Sequence, residues 1–135
     1  MVRAKRINPA PRRGARVKIL IIDDERDMCW ILRKVFEDVG YKVVTAHKGR
    51  EGIEKARKDS ADLAILDLKL PDMNGLEVLP TLKKINPKMP VLVITAFGTP
   101  EMKEAALDLG AHSFIDKPFR VEKILKITRE ALSRK

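Results

Sequence analysis

Apolar residues along this chain fall in short β-branched runs, separated by longer stretches where they recur every three or four positions. The runs lie at about 17–23, 41–45, 63–67, 91–95 and 113–116. The stretches between them have the period of helices, over about 26–39, 49–58, 75–85, 100–109 and 121–133. Local punctuation agrees with this division. Gly40 stops the first helix, Asn74 with Glu77 three residues on has capping-box spacing, and Thr99-Pro100 reads as an N-cap followed by an N1 proline. In the first helix Met28, Ile31, Leu32, Val35, Phe36 and Val39 are expected on the inner face; in the second, Ile53 and Ala56 with Gly49 and Gly52. Pro80 lacks the N–H that the Leu76 carbonyl needs, so the third helix is expected to kink.

Five such βα units, with nearly uninterrupted apolar inner strands, call for an α/β fold with a parallel sheet covered on both faces. The doubly wound five-stranded order 2-1-3-4-5, a flavodoxin-like (βα)5 arrangement, is the natural solution. Tyr41 to Thr45 is of mixed polarity and belongs near an edge.

At 135 residues the chain is long enough for one domain with its own core. The net charge of +9 suggests a polyanion partner until it is located. Residues 1–16 carry Arg3, Lys5, Arg6, Arg12, Arg13 and Arg16 with no acid, whereas residues 17–135 carry 22 basic and 19 acidic side chains. The expected division is therefore a basic flexible arm over 1–16 and a nearly balanced domain over 17–135. Nucleic-acid contact is plausible only through the arm, because the domain has neither a basic face nor aromatic platforms for bases. No stretch is apolar enough to span a membrane and the basic start lacks a secretory core, so a cytoplasmic protein is expected. Cys29 is the single cysteine, and no histidine stands near it in the chain.

The chemistry collects where strands end. The first run ends in Asp23-Asp24, the third in Asp67, the fourth in Thr95, and the fifth leads to Lys117-Pro118. In a parallel sheet these C-terminal ends share one edge, where open α/β folds place their sites. Three carboxylates suit a hard divalent cation such as Mg²⁺, and Asp67 is a candidate nucleophile toward a phosphoryl group. Lys117 and the Thr95 hydroxyl would then meet the phosphoryl oxygens. Each residue has a plainer reading. Asp23, Asp24, Glu25 and Asp27 suit a helix N-terminus, Thr95 could merely finish a strand, and Lys117 could be a surface lysine. Asp67 follows four apolar residues with no helix directly after it, and its convergence with the others favours a site.

Four strings in order, Ile21-Ile22-Asp23-Asp24-Glu25, Leu66 to Gly75, Val93-Ile94-Thr95-Ala96 and Phe114 to Phe119, resemble the receiver domains of two-component response regulators over about residues 17–133. The resemblance implies that Asp67 is the phosphoacceptor and that Asp24 and Asp67 bind Mg²⁺ directly, with Asp23 acting through water. It also implies that the Lys69 backbone carbonyl completes the metal shell, that Lys117 pairs with the phosphoryl group through a typically cis Lys117-Pro118 bond, and that Thr95 and Phe114 form a switch pair. A histidine kinase or histidine phosphotransfer protein would be the donor, and the domain would catalyse its own phosphorylation and dephosphorylation rather than act as a metabolic enzyme. Output is expected through the 100–109 helix, the fifth strand and the last helix, toward a partner protein, an effector domain outside this sequence, or a phosphorylation-dependent homodimer. Thr95 to Thr99 resembles both enhancer-binding activators and stand-alone phosphorelay receivers. A receiver-like adaptor that is never phosphorylated is the alternative, and it would predict broken acidic or lysine positions. A hydrolase built on Asp67 would need a second acid or base nearby, and His47 and His112 lie elsewhere in the pattern.

Overall fold

The computed structural model describes residues 16–133. Five strands, β1 (Lys18–Ile22), β2 (Lys42–Ala46), β3 (Leu63–Asp67), β4 (Val91–Thr95) and β5 (Ser113–Asp116), form one sheet in the order β2-β1-β3-β4-β5. All neighbouring pairs are parallel. Helices α1 (Arg26–Asp38), α2 (Gly49–Lys58), α3 (Gly75–Ile85), α4 (Pro100–Asp108) and α5 (Val121–Ser133) follow the strands in turn. This is the doubly wound arrangement that the alternating pattern implies. The basic arm lies outside the described residues except for Arg16, which is exposed.

Alternate residues of the inner strands feed two separate apolar layers, as a sheet buried on both faces requires. Leu20, Ile22, Ala64, Leu66, Val91 and Val93 join Val78, Leu79 and Leu82 of α3 on one face. Ile19, Ile21, Leu63, Ile65, Leu92 and Ile94 join Leu32 and Phe36 of α1 and Ile124 of α5 on the other.

The inner stripe of α1 differs from the expected one. Cys29, Leu32 and Phe36 are its buried residues, while Ile31 and Val39 are 44% and 47% exposed. The stripe facing the sheet thus runs through positions 29, 32 and 36, and Ile31 and Val39 fall to its sides. Helix α3 continues through Pro80 without interruption, and the Thr81 hydroxyl donates to the Glu77 carbonyl at 3.1 Å one turn earlier. Asn74 does cap this helix, its Oδ1 accepting the Leu76 N–H at 2.9 Å, and Thr99 caps α4 by accepting the Met102 N–H at 3.1 Å. Both α1 and α4 end against glycines at positive φ, Gly40 at 99° and Gly110 at 105°, which only a residue without Cβ adopts cheaply.

Two helix starts are secured by carboxylates that lie outside the helix, one distant in the chain and one adjacent. Helix α2 has Lys48 at its N-cap with no side-chain cap of its own. The Asp72 carboxylate, from the β3–α3 loop, instead accepts the Gly49 and Arg50 N–H groups at 2.8 and 3.0 Å. Those backbone bonds, that of Arg50 foremost, hold the Asp72 carboxyl below its ordinary range. At the start of α1, Asp23 Oδ1 accepts the Glu25 N–H at 2.9 Å. Among the described residues no helix is long and apolar enough to cross a membrane.

Candidate functional site

Parallel strands bring their C-terminal ends to one edge, and residues at or just beyond the ends of β1, β3 and β5 meet there. Lys117 reaches back across the edge, its Nζ lying 2.9 Å from Asp23 Oδ2, 3.0 Å from Asp67 Oδ2 and 2.5 Å from Glu25 Oε1. The Lys117-Pro118 peptide is cis. Asp67 is buried, and its second oxygen, Oδ1, accepts the Lys69 N–H at 3.0 Å. Asp23 is fully buried. Each buried carboxylate is thus oriented by one backbone N–H and by the shared ammonium.

The electrostatics follow from burial and crowding. Removal from water pushes the Asp23 carboxyl up to about 6, against the opposing pull of the Glu25 N–H and Lys117, with the neighbouring Asp67 charge adding to the rise. For Lys117 burial acts downward, but its bonds to Glu25, Asp23 and Asp67 outweigh it and hold the ammonium above its ordinary range. The lysine is thus a fixed positive charge.

Ligand oxygens of Asp23, Glu25 and Asp67 lie within 4.8 Å of one another. An all-carboxylate set of hard oxygen donors fits Mg²⁺ or Ca²⁺ and not a soft metal. The composition of this set differs from the sequence expectation. Glu25, read in the sequence as a helix-terminal acid, is one of the three, whereas the Asp24 side chain is exposed and outside the group. Lys69 is exposed at the mouth of the site, and its ammonium lies 4.9 Å from the centre of the Phe97 ring. Phe97 is 83% exposed and has a φ of 57°, an unusual conformation for an aromatic residue.

Thr95 is fully buried, with its hydroxyl donating to the Ala96 carbonyl at 3.2 Å. Phe114 is half-buried against the α3 layer. The two meet at Gly98, where an added Cβ would lie 2.8 Å from Phe114 Cζ and 3.2 Å from Thr95 Cγ2. A side chain at position 98 would press on both the ring and the threonine methyl, so a glycine there leaves room for each.

The fold also places residues beside the site that chain distance conceals. Cys29 stands far from any histidine in the sequence, yet its Sγ is 3.7 Å from His47 Nδ1. Both side chains approach the Asp23 carbonyl, Cys29 Sγ at 3.2 Å and His47 Nδ1 at 3.1 Å. Burial first, then the Asp23 charge, pushes the Cys29 thiol up to about 12, so it stays a neutral S–H donor. The only sequence signal for His47 was its position just after β2, one strand over from Asp23.

Fold and site together define a doubly wound α/β protein with a buried acidic cluster and a lysine at the C-terminal edge of its parallel sheet. The family described as "Response regulator receiver domain" matches residues 19–129, and the chain belongs to it. Among curated relatives, the "Uncharacterized transcriptional regulatory protein YkoG" of Bacillus subtilis is 39% identical over 114 residues, covering 84% of this chain and 50% of that protein. The chain spans about half or less of the length of the first curated relatives it matches. Among solved structures, a CheY-like response regulator receiver domain protein from Methanospirillum hungatei superposes with a TM-score of 0.87 at 32% identity, covering 89% of this chain and 96% of that one. A response regulator from Burkholderia pseudomallei, solved with a phosphorylated aspartic acid, a calcium ion and citrate, gives a TM-score of 0.80 at 28% identity and covers 87% of this chain and 69% of that one. The chain thus carries a response regulator receiver domain of the two-component type.

Proposed function

We propose that Asp67 accepts a phosphoryl group and that its phosphorylation switches a partner-binding face. The observation that carries this reading is the buried junction in which Lys117 lies within 3.0 Å of both the Asp23 and the Asp67 carboxylates. A carboxylate nucleophile attacks phosphorus to give an acyl phosphate, while the bond from phosphorus to the donor breaks and its electrons leave with the donor. The donor is a histidine kinase or histidine phosphotransfer protein. The transfer requires positive charge over the phosphoryl oxygens and little else.

Asp23, Asp24, Asp67 and the Lys69 carbonyl would hold Mg²⁺, with Glu25 as a further oxygen donor from the same strand end. The ion would supply positive charge over the transferring oxygens. Asp24 enters this set by its place next to Asp23 at the end of β1. Lys117 provides the second positive charge, and the Thr95 hydroxyl, on turning away from the Ala96 carbonyl, bonds a phosphoryl oxygen. The same groups serve hydrolysis of the acyl phosphate by water, which returns Asp67 to its free form. The phosphorylated aspartic acid and calcium ion of the Burkholderia structure support the pairing of aspartyl phosphate with a divalent cation in this fold.

Phosphorylation changes charge and adds acceptor oxygens beside Thr95, and the contact of Thr95, Gly98 and Phe114 carries that change to α4 and β5. The face of α4, β5 and α5 is accordingly the proposed output surface. Ala106 is the one fully buried residue of α4, and Lys103, Glu104, Asp108 and Lys123 are all exposed. The output is a partner, an effector domain or a second copy of this chain, acting inside the cytoplasm.

Incubation with acetyl phosphate, in Mg²⁺ or in EDTA, and measurement of intact mass beside Asp67→Asn tests the reading. Added phosphoryl mass that needs both Mg²⁺ and Asp67 is the expected result. Its absence, under conditions that modify a control receiver and allow for fast hydrolysis, would leave a phosphorylation-independent adaptor as the better description.

A further inference from the structure

The peptide unit of Asp23 is gripped from the neighbouring strand end as well as through its carboxylate. Its N–H donates to the Ala46 carbonyl at 3.0 Å, and its own carbonyl receives Cys29 Sγ and His47 Nδ1 at 3.2 and 3.1 Å. A carbonyl has only lone pairs to offer, so the imidazole is assigned its proton on Nδ1 and donates it. His47 is itself held, its backbone N–H donating to Glu51 Oε1 at 2.8 Å. The first turn of α2, which carries Glu51, is anchored by Asp72 in the loop that also contains Lys69. A string of bonds therefore runs from the β3–α3 loop, through the start of α2, to the backbone of Asp23.

We propose that His47 is a positioning residue for the phosphoacceptor site: by holding the Asp23 carbonyl it fixes the Asp23 carboxylate relative to Asp67 and sets the affinity for the divalent cation. The proposal rests on the reading of Asp67 as a Mg²⁺-dependent phosphoacceptor. Asp23 Oδ1 is tied to the Glu25 N–H, while Oδ2 is tied to Lys117. When Lys117 yields Oδ2 to a cation, one of those two anchors is withdrawn, and the backbone grip must keep the carboxylate in place. A thiol is a weak donor, so Cys29 alone is a poor substitute for the imidazole.

The test titrates Mg²⁺ by calorimetry into the full chain as wild type, His47→Ala, His47→Asn and Asp67→Asn, with Tm measured for each. Asparagine places its amide nitrogen where Nδ1 stands and so keeps the donor. The expected result is Mg²⁺ binding weakened about fivefold by His47→Ala, the loss of one neutral hydrogen bond, and largely restored in His47→Asn. In acetyl phosphate assays the Mg²⁺ concentration for half-maximal rate should rise, with the rate at saturating Mg²⁺ little changed. A purely structural histidine would lower Tm and leave Mg²⁺ affinity unmoved in the folded protein, which would overturn the proposal; so would an Asn variant as weak as the Ala variant. If His47→Ala does not fold, Glu51→Ala decides: weaker Mg²⁺ binding in the folded variant supports the positioning chain, and unchanged binding overturns it. Wild type that binds no Mg²⁺ would instead remove the phosphoacceptor reading itself. Wild type that binds it, with the His47 variants binding equally, would remove only the role of His47.

Discussion

Burying the Asp23 carboxylate takes it wholly out of water, and its contacts offset that cost unevenly. The Glu25 N–H and Lys117 favour the charged form, but burial and the Asp67 charge carry the carboxyl to about 6, above the ordinary 3.8. Between those values the native protein holds a proton that the unfolded chain has released. This group's contribution to stability therefore grows as pH falls through 6 and levels off below about 4. In EDTA, wild type should gain stability relative to Asp23→Asn between pH 7 and pH 5, measured as urea midpoints. A relative loss over that interval would show that Lys117, and not burial, governs the carboxylate. Excess Mg²⁺ should reverse the trend, because the cation takes the deprotonated form.

Among the elements, β2 is one of the sheet's two edge strands, paired only with β1. The Lys42 N–H donates to the Val17 carbonyl and the Ala46 carbonyl accepts the Asp23 N–H, so in the alternation of a parallel ladder the backbone groups of Val43 and Thr45 face outward. Both outward carbonyls are covered by cations, one from each flanking helix. Arg33 Nη2 of α1 donates to the Val43 carbonyl at 3.1 Å, and Lys55 Nζ of α2 donates to the Thr45 carbonyl at 2.6 Å. Charged side chains over an edge oppose the pairing of a further strand. The double change Arg33→Ala with Lys55→Ala should cost about 1 kcal/mol per lost bond and increase self-association, read by sedimentation across a concentration series. A variant that stays as monomeric as wild type would show that twist or side-chain bulk protects the edge instead.

Over the whole molecule, the site exists only in the native fold, since Asp23, Asp67 and Lys117 come from three separate strand ends. Mg²⁺ that binds the folded chain and not the unfolded one must stabilise it. At a hundredfold excess over Kd the gain is about 2.7 kcal/mol, a rise in Tm on the order of 10 °C. Asp67→Asn should abolish most of that rise, and a Tm indifferent to Mg²⁺ in wild type would exclude a folded-state cation site. The amino-acid sequence by itself determined the alternation of strands and helices and their parallel order, because strand and helix periods and caps are properties of neighbouring residues. With that order, it also determined that the side chains after β1, β3, β4 and β5 share one edge. The tertiary structure alone decided which carboxylate oxygens converge, bringing Glu25 into the group and leaving Asp24 at the surface. It alone placed Cys29 against His47, capped α2 with Asp72, and turned the 29, 32 and 36 stripe of α1 inward. Such contacts join segments far apart in the chain, and their geometry depends on how whole elements pack, for which no local run of residues carries a signal.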